Sequence, residues 1–272
     1  QIDEAGLLAK HLAGIRSRFR DITQRLGGDA GTLIPGMILG DTSLQSEEFA
    51  EQMRKSGLSH LTAVSGANFA IVSALVFWLS RFVIRGALPR IILTSGFLLL
   101  FLLLVRPSPS VLRAGVMAAV ILLARATGNS RSAVSALAAA ISLLLLLDPF
   151  QAHDPGFVLS VLATGGLIFL APSIKAFFER FMPSWLAEII AISTAATLLC
   201  TPYIIFLSGE VSILSVLFNV IVAPVVAPIT VTGFLAVLLL PIPPLSWVLL
   251  LIAHWFSRWV VTVSEFSRSS PS

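Results

Sequence analysis

Charge is scarce in this sequence. Only 12% of its 272 residues are Asp, Glu, Lys or Arg, against about 25% in soluble domains. With 56% apolar residues and a mean hydropathy of +0.94, this scarcity excludes an ordinary water-soluble domain and indicates a polytopic membrane protein. Cysteine is nearly missing: Cys200 stands alone, which excludes an internal disulfide and a multi-cysteine metal site. The four histidines, His11, His60, His153 and His254, are scattered, and there is no His-x-His-x-Asp-His cluster, so no metal or other cofactor is expected. There is no Walker-type P-loop, no Gly-x-Ser-x-Gly and no His-Glu-x-x-His, the motifs that would mark nucleotide hydrolysis, an elbow nucleophile or a zinc protease. The net charge of +4 is small for a protein that coats nucleic acid. It suits the loop charges that orient membrane helices.

What the sequence has is hydrophobic runs. From His60 onward they fall near 61–84, 90–105, 110–125, 132–147, 156–171, 187–207, 211–240 and 245–264. A spanning helix needs about 20 apolar residues, and several of these runs are shorter. The fold expected is therefore all-α and polytopic, with about eight spans, some short or broken, plus interfacial amphipathic helices. The seventh run carries Pro224 and Pro228 within Asn219–Pro228. Two prolines remove two backbone donors and crowd the preceding turns, which predicts a structural or gating break there.

Residues 1–57 form the polar part, expected as an extracytoplasmic amphipathic helical segment. Leu8, Leu12, Ile15, Phe19, Ile22 and Leu26 make one apolar stripe, with Gly27-Gly28 as its stop. Arg16, Arg18, Arg20 and Arg25 suit the C-terminal half of that helix; a DNA-guiding basic face is the sharper reading of the same residues. A second helix is expected over 43–56, with Thr42 and Gln45 at capping-box spacing and Gly57 as its stop. Residues 58–267 form the membrane core, and 268–272 a linker-like tail. Starting at Gln1 and closing on that tail, the chain reads as a piece of a longer protein. A third amphipathic stretch, 173–186, places Ile174, Phe177, Phe178 and Phe181 on one face, as an in-plane helix at the cytoplasmic surface would.

Basic turns alternate with neutral or acidic ones. Arg81, Arg85 and Arg90, then Arg125 and Arg131, then Lys175 and Arg180 mark one side; Arg106, then Asp148, His153 and Asp154, then Glu210 mark the other. The positive-inside rule puts the basic set in the cytoplasm and both termini outside.

The most informative segment is Gly57-Leu-Ser-His-Leu-Thr-Ala-Val-Ser-Gly-Ala-Asn68. His60, Thr62, Ser65, Gly66 and Asn68 open a hydrophobic run, and lipid offers them no hydrogen bonds, so they face packed protein or water. Arg113, near the start of the third run, has the same requirement. Two readings of it stay open: a structural ion pair with Asp148 or Asp154, or a phosphate contact. His60 reads as a hydrogen-bonded interior residue or a strand contact, and Asn68 and Asn219 as interhelical hydrogen-bonders or pore lining. Asp148 and Asp154 suit a loop or a helix cap.

The segment resembles the signature of the ComEC/Rec2 family of competence proteins, roughly Gly-Leu-x-His-Leu-x-Ala-Val-Ser-Gly. Gly36-Met-Ile-Leu-Gly40-Asp41, Arg113-Ala-Gly-Val-Met117, Asp148-Pro149, Asp154-Pro-Gly-Phe-Val-Leu-Ser160 and Asn219 with Ala223-Pro224 match further family elements in the family's order. Asn68 and Val158 depart from it, since many members have His and Gln there. The resemblance implies an inner-membrane, multi-pass channel that carries one strand of DNA into the cytoplasm during natural transformation. It further implies an external DNA receptor, a cytoplasmic motor, and OB-like and metallo-β-lactamase-like domains in the full-length protein, with the lipid bilayer as surroundings. The DNA path implied comprises His60, Ser65, Asn68, Arg113 and Asn219, with Gly66, Pro224, Pro228, Asp148 and Asp154 as structural or gating residues. Two other readings carry their own marks. A small-molecule or ion transporter would hold an occluded midplane site. An intramembrane hydrolase would need His60, Ser65 and Asp41 to meet, but residues five apart sit about 140° around a helix from each other.

Overall fold

The computed structural model describes residues 2–105, 109–126, 133–208 and 214–269. Arg106, Arg131, Glu210 and the end of the tail from 270 lie outside the described residues, as does the side chain of Arg125. The described residues form an all-α polytopic membrane protein without a strand. Its helices are α1 (Ile2–Gln24), α2 (Gly28–Leu39), α3 (Glu47–Lys55), α4 (Gly66–Ser80), α5 (Ala87–Leu104), α6 (Pro109–Ala126), α7 (Ala133–Leu147), α8 (Pro155–Phe169), α9 (Ala171–Phe178), α10 (Ser184–Ser208), α11 (Leu214–Leu238) and α12 (Pro243–Ser269).

Each expected hydrophobic run is a helix, but they are not eight equal spans. α5, α10, α11 and α12 are long and apolar enough to cross a bilayer alone, and α8 with α9 makes a fifth crossing if the bent pair is one span. α4 and α7, at 15 residues each, reach only about 22 Å. The break also falls elsewhere than the sequence suggests. α11 runs through Pro224 and Pro228 without interruption, whereas α8 and α9 meet at 47° around Leu170. One tertiary bond and one local bond support α11: the Trp259 indole of α12 donates to the Ile221 carbonyl at 3.2 Å, and within α11 Thr232 Oγ1 donates to the Pro228 carbonyl at 2.7 Å. A helix supported along its length by α12 keeps its course where an isolated one would break.

α2 was not foreseen. Residues 33–39 are all buried, so this short helix is apolar on every side. It packs against α1, α11 and α12, and Leu33, Ile34, Met37 and Ile38 share one core cluster with Phe19, Phe49, Val222, Ile229, Leu250 and Val260. The stripe of α1 lies on this cluster through Leu12, Ile15, Ile22 and Leu26. α2 stops at Gly40, in the left-handed region at φ 70°, where the Gly40 amide reaches the Gly36 carbonyl, the 5→1 bond of a left-handed cap, and the Asp41 amide reaches that of Pro35. α3 begins at Ser46 rather than at Thr42: Ser46 Oγ accepts from the Phe49 amide at 3.1 Å, so the expected Thr42–Gln45 capping box is not used. The second core cluster joins Phe69, Val72, Phe101 and Phe234 of α4, α5 and α11.

Contacts sort the helix ends onto two faces. Arg16 of α1 meets Leu103–Val105 at the end of α5, Arg113 meets Asp154, Asn219 meets Gly57, and Gln52 of α3 meets Ser264 near the end of α12. These joined ends are those the charge pattern assigned to one side, with the first helices and the far end of α12 together. The opposite ends carry Arg81, Arg85, Arg90, Lys175 and Arg180.

Arg16 is the strongest of these fasteners. Its Nε donates to the Leu104 carbonyl at 2.8 Å, and its Nη2 to those of Leu103 at 2.8 Å and Val105 at 3.2 Å, filling acceptors that the end of α5 leaves open. Replacing it with Ala should lower stability by about 2 kcal/mol, read as the unfolding midpoint of the detergent-solubilised protein, with Lys restoring part of the loss. An unchanged midpoint would show that water serves these carbonyls equally well.

Candidate functional site

The segment between α3 and α4 is built around close approaches of backbone. Gly57 takes φ 70°, which turns the chain out of α3. A tight 3-10 turn, Ser59–Leu61, follows, and α4 starts only at Gly66. Leu58, Leu61 and Val64 point into the core, while Ser59 and His60 are exposed. Gln45 Nε2 donates to the Thr62 carbonyl at 3.1 Å. A Cβ on Gly36 would collide with that same carbonyl and with Gln45, so Gly36 is the residue that lets α2 lie against the segment.

Asn68 joins three helices. Its Nδ2 donates to the Met37 carbonyl at the end of α2 at 2.7 Å, and its Oδ1 accepts from Thr230 Oγ1 of α11 at 3.1 Å. Asn68 is 2% exposed and Thr230 0%, so this is the interhelical reading of Asn68. His60 and Asn219 share another acceptor: His60 bonds to the Gly57 backbone, and Asn219 Nδ2 donates to the Gly57 carbonyl at 3.4 Å. His60 exposes surface, yet lost hydration lowers its pKa from 6.5, offset only in part by the Gly57 bond.

Arg113 is 5% exposed. Its Nη1 donates to Asp154 Oδ2 at 2.7 Å, while Asp154 Oδ1 accepts from the Gly156 amide at 3.0 Å and so caps α8. A Cβ on Gly156 would stand 2.9 Å from Arg113 Nη2, so a larger residue there would push the guanidinium aside. Of the two readings of Arg113, the closed ion pair is the one observed, and it clamps α6 to α8. Asp148 accepts from the Phe150 amide at 3.1 Å and caps the 3-10 turn Pro149–His153. Ser65 precedes α4 without capping it. Gly66 faces Ala114, with 3.9 Å from its would-be Cβ to that methyl, which brings the start of α4 beside α6.

The site thus gathers His60, Asn219 and Gly57 in one group, Asn68, Thr230 and Met37 in a second, and Arg113, Asp154 and Gly156 in a third. Thr230 was missed, although a hydroxyl two residues beyond Pro228 in an apolar run was its signal. What stays uncovered beside these groups is small: Gly66, Ala67, Ala70 and Ala74 form an exposed stripe down α4, and Pro224 and Ala227 are exposed on α11. Among the described residues no group of His, Cys, Asp and Glu could hold a metal ion.

Two outcomes follow. Arg113→Ala should cost about 1–2 kcal/mol, since Asp154 is 37% exposed and keeps its bond to the Gly156 amide, and Arg113→Met combined with Asp154→Asn should cost less than the two single changes added together. Additive losses in unfolding measurements would show that the pair does not couple. For His60, the imidazole is neutral in both states well above pH 6.5, and the unfolded chain takes the proton first as pH falls. Stability should therefore decline as pH drops below about 6.5, and His60→Gln should flatten that decline. A wild-type slope in the Gln variant would place the titration elsewhere.

A family model described as Competence, competence protein, matches residues 37–272. The ComE operon protein 3 of Bacillus subtilis (strain 168) is 29% identical over 247 residues, which cover 87% of this chain and 31% of that protein. No solved structure matches the chain. The match takes in the end of α2, the segment that opens α4, the Arg113–Asp154 clamp and every long apolar helix, and on this extent the chain belongs to the competence-protein family.

Proposed function

We propose that this chain is the membrane-spanning part of a DNA-uptake protein, passing single-stranded DNA across the bacterial inner membrane into the cytoplasm during natural transformation. Membership of the competence family across 37–272 carries this reading. The geometry adds a route. A strand carries one negative charge per nucleotide and needs a wall that is wet, wide and weakly binding. We assign that wall to the uncovered stripe of Gly66, Ala67, Ala70 and Ala74, headed by His60 and Ser65. Small side chains leave width, and no fixed cation on the stripe holds phosphate too long. Arg113, Asn68 and Asn219 then serve the passage by holding its walls in place. With the basic turns in the cytoplasm, the joined face that bears His60 and the termini is the entrance. An external receptor would deliver DNA there, beside any OB-like or metallo-β-lactamase-like domains of the full-length protein. Energy comes from a cytoplasmic motor, a gradient or the strand's own binding. The chain acts as a conduit rather than an enzyme.

The small-molecule transporter reading gains no support from α11, whose continuous course offers no discontinuous helix at mid-depth. The test is obstruction. In competent cells that carry the full-length protein, Ala70→Phe with Ala74→Phe should abolish transformation while membrane levels and bound external DNA stay normal. Ala70→Ser with Ala74→Ser should transform normally. Full transformation through a well-expressed Phe variant would move the route off α4.

A further inference from the structure

The turn between α4 and α5 lies on the face opposite the signature segment and takes no part in the site above. It is an ordered turn. The amides of Arg81, Phe82 and Val83 donate to carbonyls three residues back at 3.3, 3.2 and 3.2 Å, and that of Ile84 to Ser80 at 2.8 Å. On its far side Arg90 Nε donates to the Gly86 carbonyl at 3.0 Å, and the Arg90 guanidinium lies 5.2 Å from the Phe77 ring, which ties the turn back to α4.

Arg81 sits between two rings, 4.9 Å from the centre of Trp78 and 4.8 Å from that of Phe82. The rings meet edge-on at 5.2 Å. A guanidinium held against ring faces keeps its N–H donors in its own plane, directed outward. Arg85 stands exposed four residues on. Neither arginine has a carboxylate partner among the described residues, and the sequence holds no Asp or Glu between Glu51 and Asp148. The contrast on this face is Lys175, which Glu188 neutralises at 2.9 Å and Glu179 approaches at 3.8 Å. Around the two arginines the surface is hydrocarbon: Phe82 is 66% exposed, Val83 86% and Leu88 59%.

We propose that Arg81, held by the rings of Trp78 and Phe82, and Arg85 bind the phosphate of an anionic phospholipid, while Val83 and Leu88 lie among its acyl chains. Two unpaired cations call for a net negative headgroup, and without a nearby carboxylate nothing would receive the ammonium of a zwitterionic one. The exposed hydrocarbon selects lipid over nucleic acid, because a strand phosphate would satisfy the arginines and leave Phe82 and Val83 in water. This inference is independent of the strand route on α4.

The experiment is native mass spectrometry of the detergent-solubilised chain, titrated with phosphatidylglycerol and with phosphatidylcholine of the same acyl chains. The wild type should retain phosphatidylglycerol in preference. Arg81→Gln with Arg85→Gln should weaken that retention about thirty-fold, the effect of two basic residues at an anionic surface, and Arg81→Lys with Arg85→Lys should fall between. Arg85→Gln alone, outside the ring stack, gives the same reading if the double variant does not fold. Equal retention of the two lipids by the wild type, or unchanged phosphatidylglycerol affinity in a folded Gln variant, would overturn the site. So would a single-stranded oligonucleotide that displaces phosphatidylglycerol at physiological salt and is itself lost in the Gln variant; the arginines would then serve the strand.

Discussion

Backbone groups left open where helices stop inside an apolar body are the constraint on which this structure turns. In hydrocarbon an unsatisfied carbonyl costs several kcal/mol, and this chain stops helices repeatedly within its own thickness. Several of these stops are met by a particular side chain. Arg16 serves the end of α5, Asn68 the end of α2, Gln45 the Thr62 carbonyl, Asn219 the Gly57 carbonyl, and Asp154 the first amides of α8. Ser246 Oγ does the same for the Ala236 carbonyl, at 2.9 Å, where α11 and α12 meet. Those bonds also decide which helices are neighbours, so the polar residues specify the assembly while the apolar ones supply its bulk.

This changes what the motif residues are for. Asn68 and Arg113 are costly in lipid, which is why they attract a functional reading, but both are buried with named partners. A residue committed to such a bond cannot also grip a moving strand without releasing its helix. The surfaces open to a passenger are therefore the ones without strong groups, the Gly66–Ala74 stripe and the exposed Pro224 and Ala227. For translocation this division is favourable, because fixed cations in the wall would slow the strand they attract.

The sequence showed these features unevenly, for physical reasons. The stripe of α1 and the apolar runs of the core were legible because period and hydropathy are local properties. α2 was not, since Pro35, Gly36 and Gly40 interrupt its apolar letters and a helix buried on every side has no polar face to set a period. The prolines of α11 suggested a break that packing on α12 prevents, whereas the real bend near Leu170 has only the following Pro172 to announce it. Arg113 could be assigned an acidic partner by charge and turn placement, with Asp148 and Asp154 both open. The bond from Asn68 to Thr230 crosses 162 positions, and nothing in either neighbourhood names the other.

The shortness of α4 bears on where a passage would open. Had the helix begun at Leu61, it would have reached about 30 Å to Ser80 and matched the hydrocarbon core. It begins instead at Gly66, so the turn through His60 occupies the depth that the first helical turns would have filled. Irregular backbone at such depth persists only when buried in protein or bordering water. Here Leu58, Leu61 and Val64 are buried in protein while Ser59 and His60 are exposed. A continuous helix would have sealed that position with its own side chains. Ending it early leaves that backbone irregular, and Gln45 and Asn219 hold it through the Thr62 and Gly57 carbonyls, with Gly36 giving the room for this approach.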